Sequence, residues 1–461
     1  MIRSGAIGSV LVTGGGITGW SAAAALKRHL PMLRVTVLPI EPPADALADR
    51  LSGTLPSIAN FHDDLGLDEV NTVVRAQSSR RLGTLFKGWG RRAYVHAYGQ
   101  TGQAVGPCAF HQLWLRDQRG AFEDYSLAAM AARAGRNDGG AAGLHLTVPR
   151  YCAMMRAFAL HLGVELASGD LAGVSLAEDG FIAHLVLSDG RRLEADLFVD
   201  ATGPAADLHS ALGEGFDDWS RHLIADRVYF SEAPATAPTP LDTNGAVTAG
   251  WTWAASSAAI ATSGFVTSSA HHHAAPDGAQ SIPLRQGRRT TPWIRNCVVI
   301  GDAALAIEPL EWTNLHLAHS GIDRLVAMLP GKDFARVELA EYNRQSDNEA
   351  RRVRDFLCLH YAAGPAKLGP FWRDARKAVL PDSLAHTLML FRERGRLPFY
   401  EEETFNRDSW LTVLFGQDER PRRIDPLTEL VPRDEVSEAF RAMKAQIAAT
   451  LAAPSHERMM P

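Results

Sequence analysis

Apolar residues gather near the start of the chain as Val10-Leu-Val-Thr13, break at Gly14-Gly-Gly16, and resume as Ile17-Thr-Gly19-Trp20 with alanines at 22–25. A β-prone run that enters glycines spaced G-x-G-x-x-G and leaves into an alanine-rich helix former predicts a strand, a tight turn and a helix. Gly14 permits the turn. Gly16 lets the backbone approach a pyrophosphate, and Gly19 lets the helix pack closely on the sheet. The helix opens at Ile17 and Thr18, where backbone N–H groups lack partners and favour a phosphate. The alternative is an ordinary βα turn.

Residues 33–38 predict a second strand, followed by Pro39 and Glu41. An acid near the end of this strand holds a ribose in many such units. Glu41 is either that acid or a solvated loop acid. Pro56 and Ser57 open a helix with Ile58, Phe61 and Leu65 on one face, and Gly66 suits its end. The basic stretch at 80–89 is either a phosphate or cofactor contact or a solvated strand edge. Residues 90–145 show weak periodicity, and 150–162 have helical spacing. Three strands are expected at 164–171, 180–187 and 192–199, with Ser188-Asp-Gly190 turning between the last two. Asp196 to Gly203 reads as a buried strand and a glycine loop, a second return to the nucleotide site.

Short β-prone pieces at 227–230, 249–255 and 264–267 predict an antiparallel sheet outside the nucleotide unit. A hydrophobic strand then runs from Cys297 into Gly301-Asp302, an acidic turn and an amphipathic helix. Asp302 is placed to accept from a ribityl or ribose hydroxyl, or to cap a helix. Backbone N–H groups beyond it, including that of Leu310, come near a cofactor ring. Helices are expected at 335–364 and 373–393, and a polar, alanine-rich helix within 421–461. The expected organisation is a nucleotide-binding domain at 1–210 with inserted segments, a sheet and substrate-side segment at 211–295, a return at 296–335, and a helical region at 336–461.

Length changes this picture by requiring more than one core: 461 residues exceed what one ordinary core organises. A net charge of -5 offers no global positive field for nucleic acid. The four cysteines, Cys108, Cys152, Cys297 and Cys358, lie far apart and form no C-x-x-C pair, so they are read as reduced thiols of a cytoplasmic protein. No signal peptide or membrane span is expected. Cys108 with His111, and the triplet His271-His-His273, lack further ligands at suitable spacing, so no metal site is expected.

The order of Gly14–Trp20, Leu55–Gly66, Leu193–Gly203 and Gly301–His316 resembles the flavin-dependent tryptophan halogenase family. The likeness runs from about residue 10 to 416 and includes Asp355-Phe-Leu-Cys-Leu-His360-Tyr361 and Ser409-Trp410. It implies an α/β fold, α+β overall: a Rossmann-like FAD-binding domain of the flavin monooxygenase type, an antiparallel sheet and a mostly helical substrate region. It also implies FAD reduced by a separate flavin reductase, and oxidation of chloride or bromide to hypohalous acid. That acid would pass through an internal tunnel to an electron-rich aromatic substrate, small or carrier-bound. A homodimer is one oligomeric possibility.

By the same resemblance Glu311 matches the family's catalytic glutamate, and Arg81 stands at its lysine. Arginine keeps the charge but cannot form a lysine-like haloamine in the same way. Glu311 is expected to face Arg81, as a working pair or as a structural ion pair. Thr313 and Asn314 are expected halide contacts. Trp251 and Trp253 keep the tryptophans of the W-x-W-x-I-P stretch beside the flavin, while Ala255 and Ser256 replace its Ile-Pro. Trp312 is large enough to narrow the tunnel. The alternatives are a flavin monooxygenase without halogenation and a non-catalytic FAD-binding partner protein.

Overall fold

The computed structural model describes residues 5–453 apart from 214, 273, 275, 277 and 402; His273 of the histidine triplet and the last eight residues of the tail therefore lie outside it. The first sheet has six strands in the order Trp293–Ile294, Cys297–Val299, Leu197–Asp200, Ser9–Thr13, Arg34–Leu38 and Glu165–Leu166. All pairs are parallel except the hairpin between the first two. Parallel strands are buried on both faces, which is why Val10-Leu-Val12 and Phe198-Val199 read as continuous apolar runs. Helix Ile17–His29 buries Ala22 to Ala25 among the helices Val148–His161 and Asn314–Ala327. Small side chains allow that close approach.

The second sheet has seven strands and runs from Gln280–Pro283 through Arg227–Pro234, Ile260–Thr267, Gly250–Ser256 and Leu241–Val247 to Gly83–Lys87 and Tyr94–Ala97. It is mixed rather than purely antiparallel, because Leu241–Val247 pairs parallel with Gly83–Lys87. That pairing draws a segment from the first hundred residues into the sheet and sets Thr84 opposite Asp242. The basic stretch is therefore no solvated edge at Arg81, which is fully buried, although Lys87 is exposed.

Several expected strand boundaries shift. Residues 164–171 hold Glu165–Leu166 and the start of Leu171–Leu176, and 192–199 split into Arg192–Leu193 and Leu197–Asp200. The weakly periodic 90–145 region contains helices Phe110–Asp117 and Leu127–Arg133, too short for periodicity to show. The C-terminal layer opens with the 27-residue helix Arg336–Ala362, and the expected helix at 373–393 is two, Pro370–Lys377 and Asp382–Arg394. Helices Arg407–Gly416 and Arg433–Ala452 complete it. Among the described residues, no helix is long and apolar enough to cross a membrane.

Candidate active site

The glycine turn joins Ser9–Thr13 to Ile17–His29 as the spacing predicts. Gly14 has φ +146°, and a Cβ there would lie 2.5 Å from the Ala201 carbonyl oxygen, so only glycine is accommodated. Gly16 is the N-cap of the helix, and Ile17, Thr18 and Gly19 form its buried first turn. The turn opens into a cleft of about 450 Å³ lined by Gly15, Gly16, Glu41, Asp49, Arg50 and Cys152, among others. Glu41 is exposed at this rim, where a ribose acid would stand. The Thr18 hydroxyl is buried without a hydrogen-bond partner.

Strand Cys297–Val299 delivers Gly301 and Asp302 to the same end of the parallel sheet. Gly301 packs against Thr18: a Cβ at Gly301 would lie 2.8 Å from the Thr18 methyl. Asp302 is not the N-cap of the helix that follows it; that position is Thr313. The Asp302 carboxylate accepts from the Ala48 N–H at 2.6 Å, and burial pushes its carboxyl well above the usual range. The chain then turns through Leu310–Trp312, with Leu310 buried, into helix Asn314–Ala327. Thr313 is the N-cap of that helix, and its buried hydroxyl has no partner. Asn314 donates its amide to the Ile307 carbonyl and leaves its oxygen Oδ1 unpaired.

Glu311 occupies a histidine cage. His96 Nδ1 lies 2.9 Å from both carboxylate oxygens, and His360 Nε2 lies 3.1 Å from Oε1. Burial alone would raise the Glu311 carboxyl, but the two histidines outweigh it and hold it well below the usual carboxylate range. The carboxylate is therefore ionised, and His96 must donate to it from Nδ1. Glu311 and Trp312 both have left-handed backbones, φ +64° and +59°. Two successive non-glycine residues there store about 1–3 kcal/mol of strain each, which the cage and the Trp312 contacts must hold.

The expected facing of Arg81 and Glu311 is corrected by the structure: the carboxylate against Arg81 is Asp242. Arg81 Nε lies 2.5 Å from Asp242 Oδ1, and both side chains are fully buried. The guanidinium also donates to the Thr54 carbonyl at 3.1 Å and to the Thr84 hydroxyl at 2.6 Å. Asp242 Oδ2 accepts from Thr84 at 2.9 Å and from Trp312 Nε1 at 2.8 Å. Arg81 and Glu311 share one buried neighbourhood, bridged by Tyr98 and Trp312, whose rings both lie beside the guanidinium. They do not pair, because each carboxylate meets a different partner, Arg81 for Asp242 and the two histidines for Glu311.

The tryptophans form a connected wall. Trp312 lies edge-on to Trp253, which packs against Trp251. The Trp312 indole lies against Gly53, where a Cβ would fall 2.3 Å from Cδ2. Trp251 donates to the Tyr361 hydroxyl at 2.9 Å, and Tyr361 donates to Glu308 at 2.7 Å. Burial pushes the Glu308 carboxyl up to about 8, against the pull of Tyr361 and Gln286. Between 4.5, its ordinary value, and about 8 the folded protein holds a proton that the unfolded chain has released. Stability from this group therefore falls as pH rises through that window, by about 1.4 kcal/mol per unit. Denaturant melts of wild type and Glu308→Gln over that range should show a flatter pH profile in the variant. Parallel profiles would mean that Glu308 is ionised in the folded protein.

Local spacing does not reveal several of these partners. Asp242 has a faint signal, as the lone charge within the strand Leu241-Asp-Thr-Asn-Gly-Ala-Val247. His96 and Asp49 have none, since neither local spacing nor composition links them to Glu311 or Gly16.

A glycine-turn nucleotide sheet joined to a second sheet and a helical layer, with a caged glutamate between them, defines a flavoprotein oxidoreductase of the monooxygenase-like class. The chain belongs to the tryptophan halogenase family, whose model matches residues 9–433. It is 27% identical to tryptophan 6-halogenase ThaL of Streptomyces albogriseolus, covering 87% of this chain and 85% of that one. It is 26% identical to tryptophan 7-halogenase RebH of Lentzea aerocolonigenes, covering 96% of each. Among solved structures, BrvH, a flavin-dependent halogenase from Brevundimonas sp. BAL3, superposes with a TM-score of 0.90 at 32% identity, covering 98% of this chain and 99% of that one.

The family's FAD fits this chain in shape. Gly14 and Gly16 stand at a helix start where a Cβ would not fit, the cleft lies beside them, and the Thr18 hydroxyl has no hydrogen-bond partner. Gly301 and Asp302 stand next to the same turn.

Proposed function

We propose that this chain halogenates an electron-rich aromatic substrate of the tryptophan or indole kind, using reduced FAD from a separate flavin reductase, dioxygen, and chloride or bromide. The observation that carries this reading is the ionised, strained Glu311 in its histidine cage, at the position that matches the family's glutamate. Gly14, Gly16, Ile17, Thr18 and Gly19 would cradle the pyrophosphate, Glu41 would meet the ribose, and Gly301, Asp302 and Leu310 would border the flavin. When bound, reduced FAD would supply the two electrons that take dioxygen to the peroxide level, and that oxidant would remove two electrons from the halide to give hypohalous acid and water. The unpaired Thr313 hydroxyl is suited to the halide side, whereas Asn314 spends its side-chain donor on the Ile307 carbonyl and leaves only an acceptor oxygen, which disfavours its side chain as a halide contact. Glu311 accepts the proton released as the ring is attacked, and His96 and His360 spread that proton's charge. Trp251 and Trp253 exclude water. Cytoplasmic location and a homodimer belong to this reading.

A second reading, flavin-dependent oxygenation without halogen transfer, is favoured by one feature. Arg81 spends its donors on Asp242, Thr54 and Thr84, and no amine stands at that position. One assay separates the two: protein, FAD, a flavin reductase, dioxygen and bromide, with a panel of indoles and phenols and mass detection. Brominated product is expected, with FAD bound more tightly than FMN because the glycine cradle serves the ADP half. Hydroxylated product alone would select the second reading.

A further inference from the structure

The glycine cradle already holds an anion, and it belongs to the chain itself. Asp49 ends the short turn Leu47–Asp49, and its Oδ1 accepts the Thr18 N–H at 2.7 Å. The carboxyl lies flat over Gly16, where a Cβ would fall 2.4 Å from Asp49 Cγ and 2.5 Å from Oδ1. The missing side chain at Gly16 and the free N–H at the helix start are the two features by which such a turn receives a pyrophosphate. Here Asp49 uses both. We propose that Asp49 is an internal competitor for the dinucleotide, so that FAD enters the cradle with uptake of a proton at this carboxylate. The inference rests on the flavin reading above.

The surroundings make a charged Asp49 a poor neighbour for phosphate. Asp302 is one residue away through the Ala48 N–H, Asp45 lies on the same side, and Glu41 stands at the rim. Cys152 faces the carboxyl from helix Val148–His161, while Arg156 of the same helix lies over the Trp20 ring. Arg50 is the adjacent cation, but its Nε is spent on the Pro43 carbonyl at 3.2 Å. Burial raises the Asp49 carboxyl to about 6, against the pull of Thr18, Arg50 and Ile17. Protonation is therefore available in mildly acidic solution, and the neutral carboxyl neither repels phosphate nor holds the N–H as strongly.

The sign follows. When only the protonated state admits FAD, apparent affinity scales with its population. Affinity is then greatest below pH 6 and falls about tenfold per unit above it. The FAD pyrophosphate does not titrate in this range. Fluorescence titration of wild type, Asp49→Asn and Asp49→Gly with FAD, from pH 5.5 to 8.5, tests the idea, with thermal melts to confirm folding. Expected is a wild-type dissociation constant that rises roughly a hundredfold across the upper two units, and variants that bind tightly with a flat profile. Variants that match wild type, or bind more weakly, would overturn the competitor role while leaving flavin binding intact. FAD bound by no form at any pH would overturn this inference together with the flavin reading.

Discussion

Glu311→Gln is expected to lower halogenated product per flavin oxidised by about a hundredfold or more, while FAD affinity stays near wild type. The carboxylate is ionised and takes His96 Nδ1–H on both oxygens. An amide of the same shape keeps one acceptor and turns an N–H₂ toward a histidine nitrogen, so it cannot take the ring proton and loosens the cage. Loss of one preorganised transition-state interaction costs about 3 kcal/mol, which is about a hundredfold in rate. His96→Gln should produce a smaller loss and shift the pH profile, because His96 acts through Glu311. Product is measured by mass detection at saturating bromide, with peroxide release as the control for flavin turnover. Equal product yields in Glu311→Gln and wild type would remove Glu311 from the chemistry.

The largest stability effect is expected at Asp242. Asp242→Ala leaves the Arg81 charge fully buried without its counter-ion and strips the acceptor from Trp312 Nε1 and Thr84. Breaking such a pair costs about 3–5 kcal/mol. Replacing both members, as Arg81→Met with Asp242→Leu, should recover much of that loss, since two buried charges are removed together. Denaturant melts of Arg81→Met, Asp242→Leu and the double variant form the cycle; additive losses would show that the pair is not coupled. The same residues test the chemistry. Arg81→Lys with Asp242→Asn places an amine at the position that the family resemblance assigns to its lysine and frees it from its carboxylate. Under the halogenase reading, this variant should keep or raise brominated product. A variant that folds and makes only hydroxylated product would favour the oxygenase reading.

Wherever function rests on neighbours along the chain, it is legible in the amino-acid sequence. The strand, turn and helix around Gly14 and Gly16 follow from local spacing, because a tight turn demands glycine where φ is positive and a helix start leaves N–H groups bare. The Gly301-Asp302 turn is legible for the same reason, whereas Glu311 is singled out only by the family resemblance. Helices such as Ser57–Leu65 show their buried face in a period of 3.6.

Tertiary structure alone decided the partners. Arg81 and Asp242 are 161 positions apart, and Glu311 and His96 are 215. A buried charge must find an opposite charge or a donor set, but which one it finds depends on strand register, here the parallel pairing that sets Thr84 opposite Asp242. The family resemblance puts Arg81 and Glu311 in one neighbourhood and suggests that they face each other; the fold gives each a different partner. Asp49 follows the same logic at shorter range. Nothing about an aspartate in a polar loop points to Gly16 until the turn Leu47–Asp49 folds back over the helix start, where the positive end of the helix dipole draws the nearest anion.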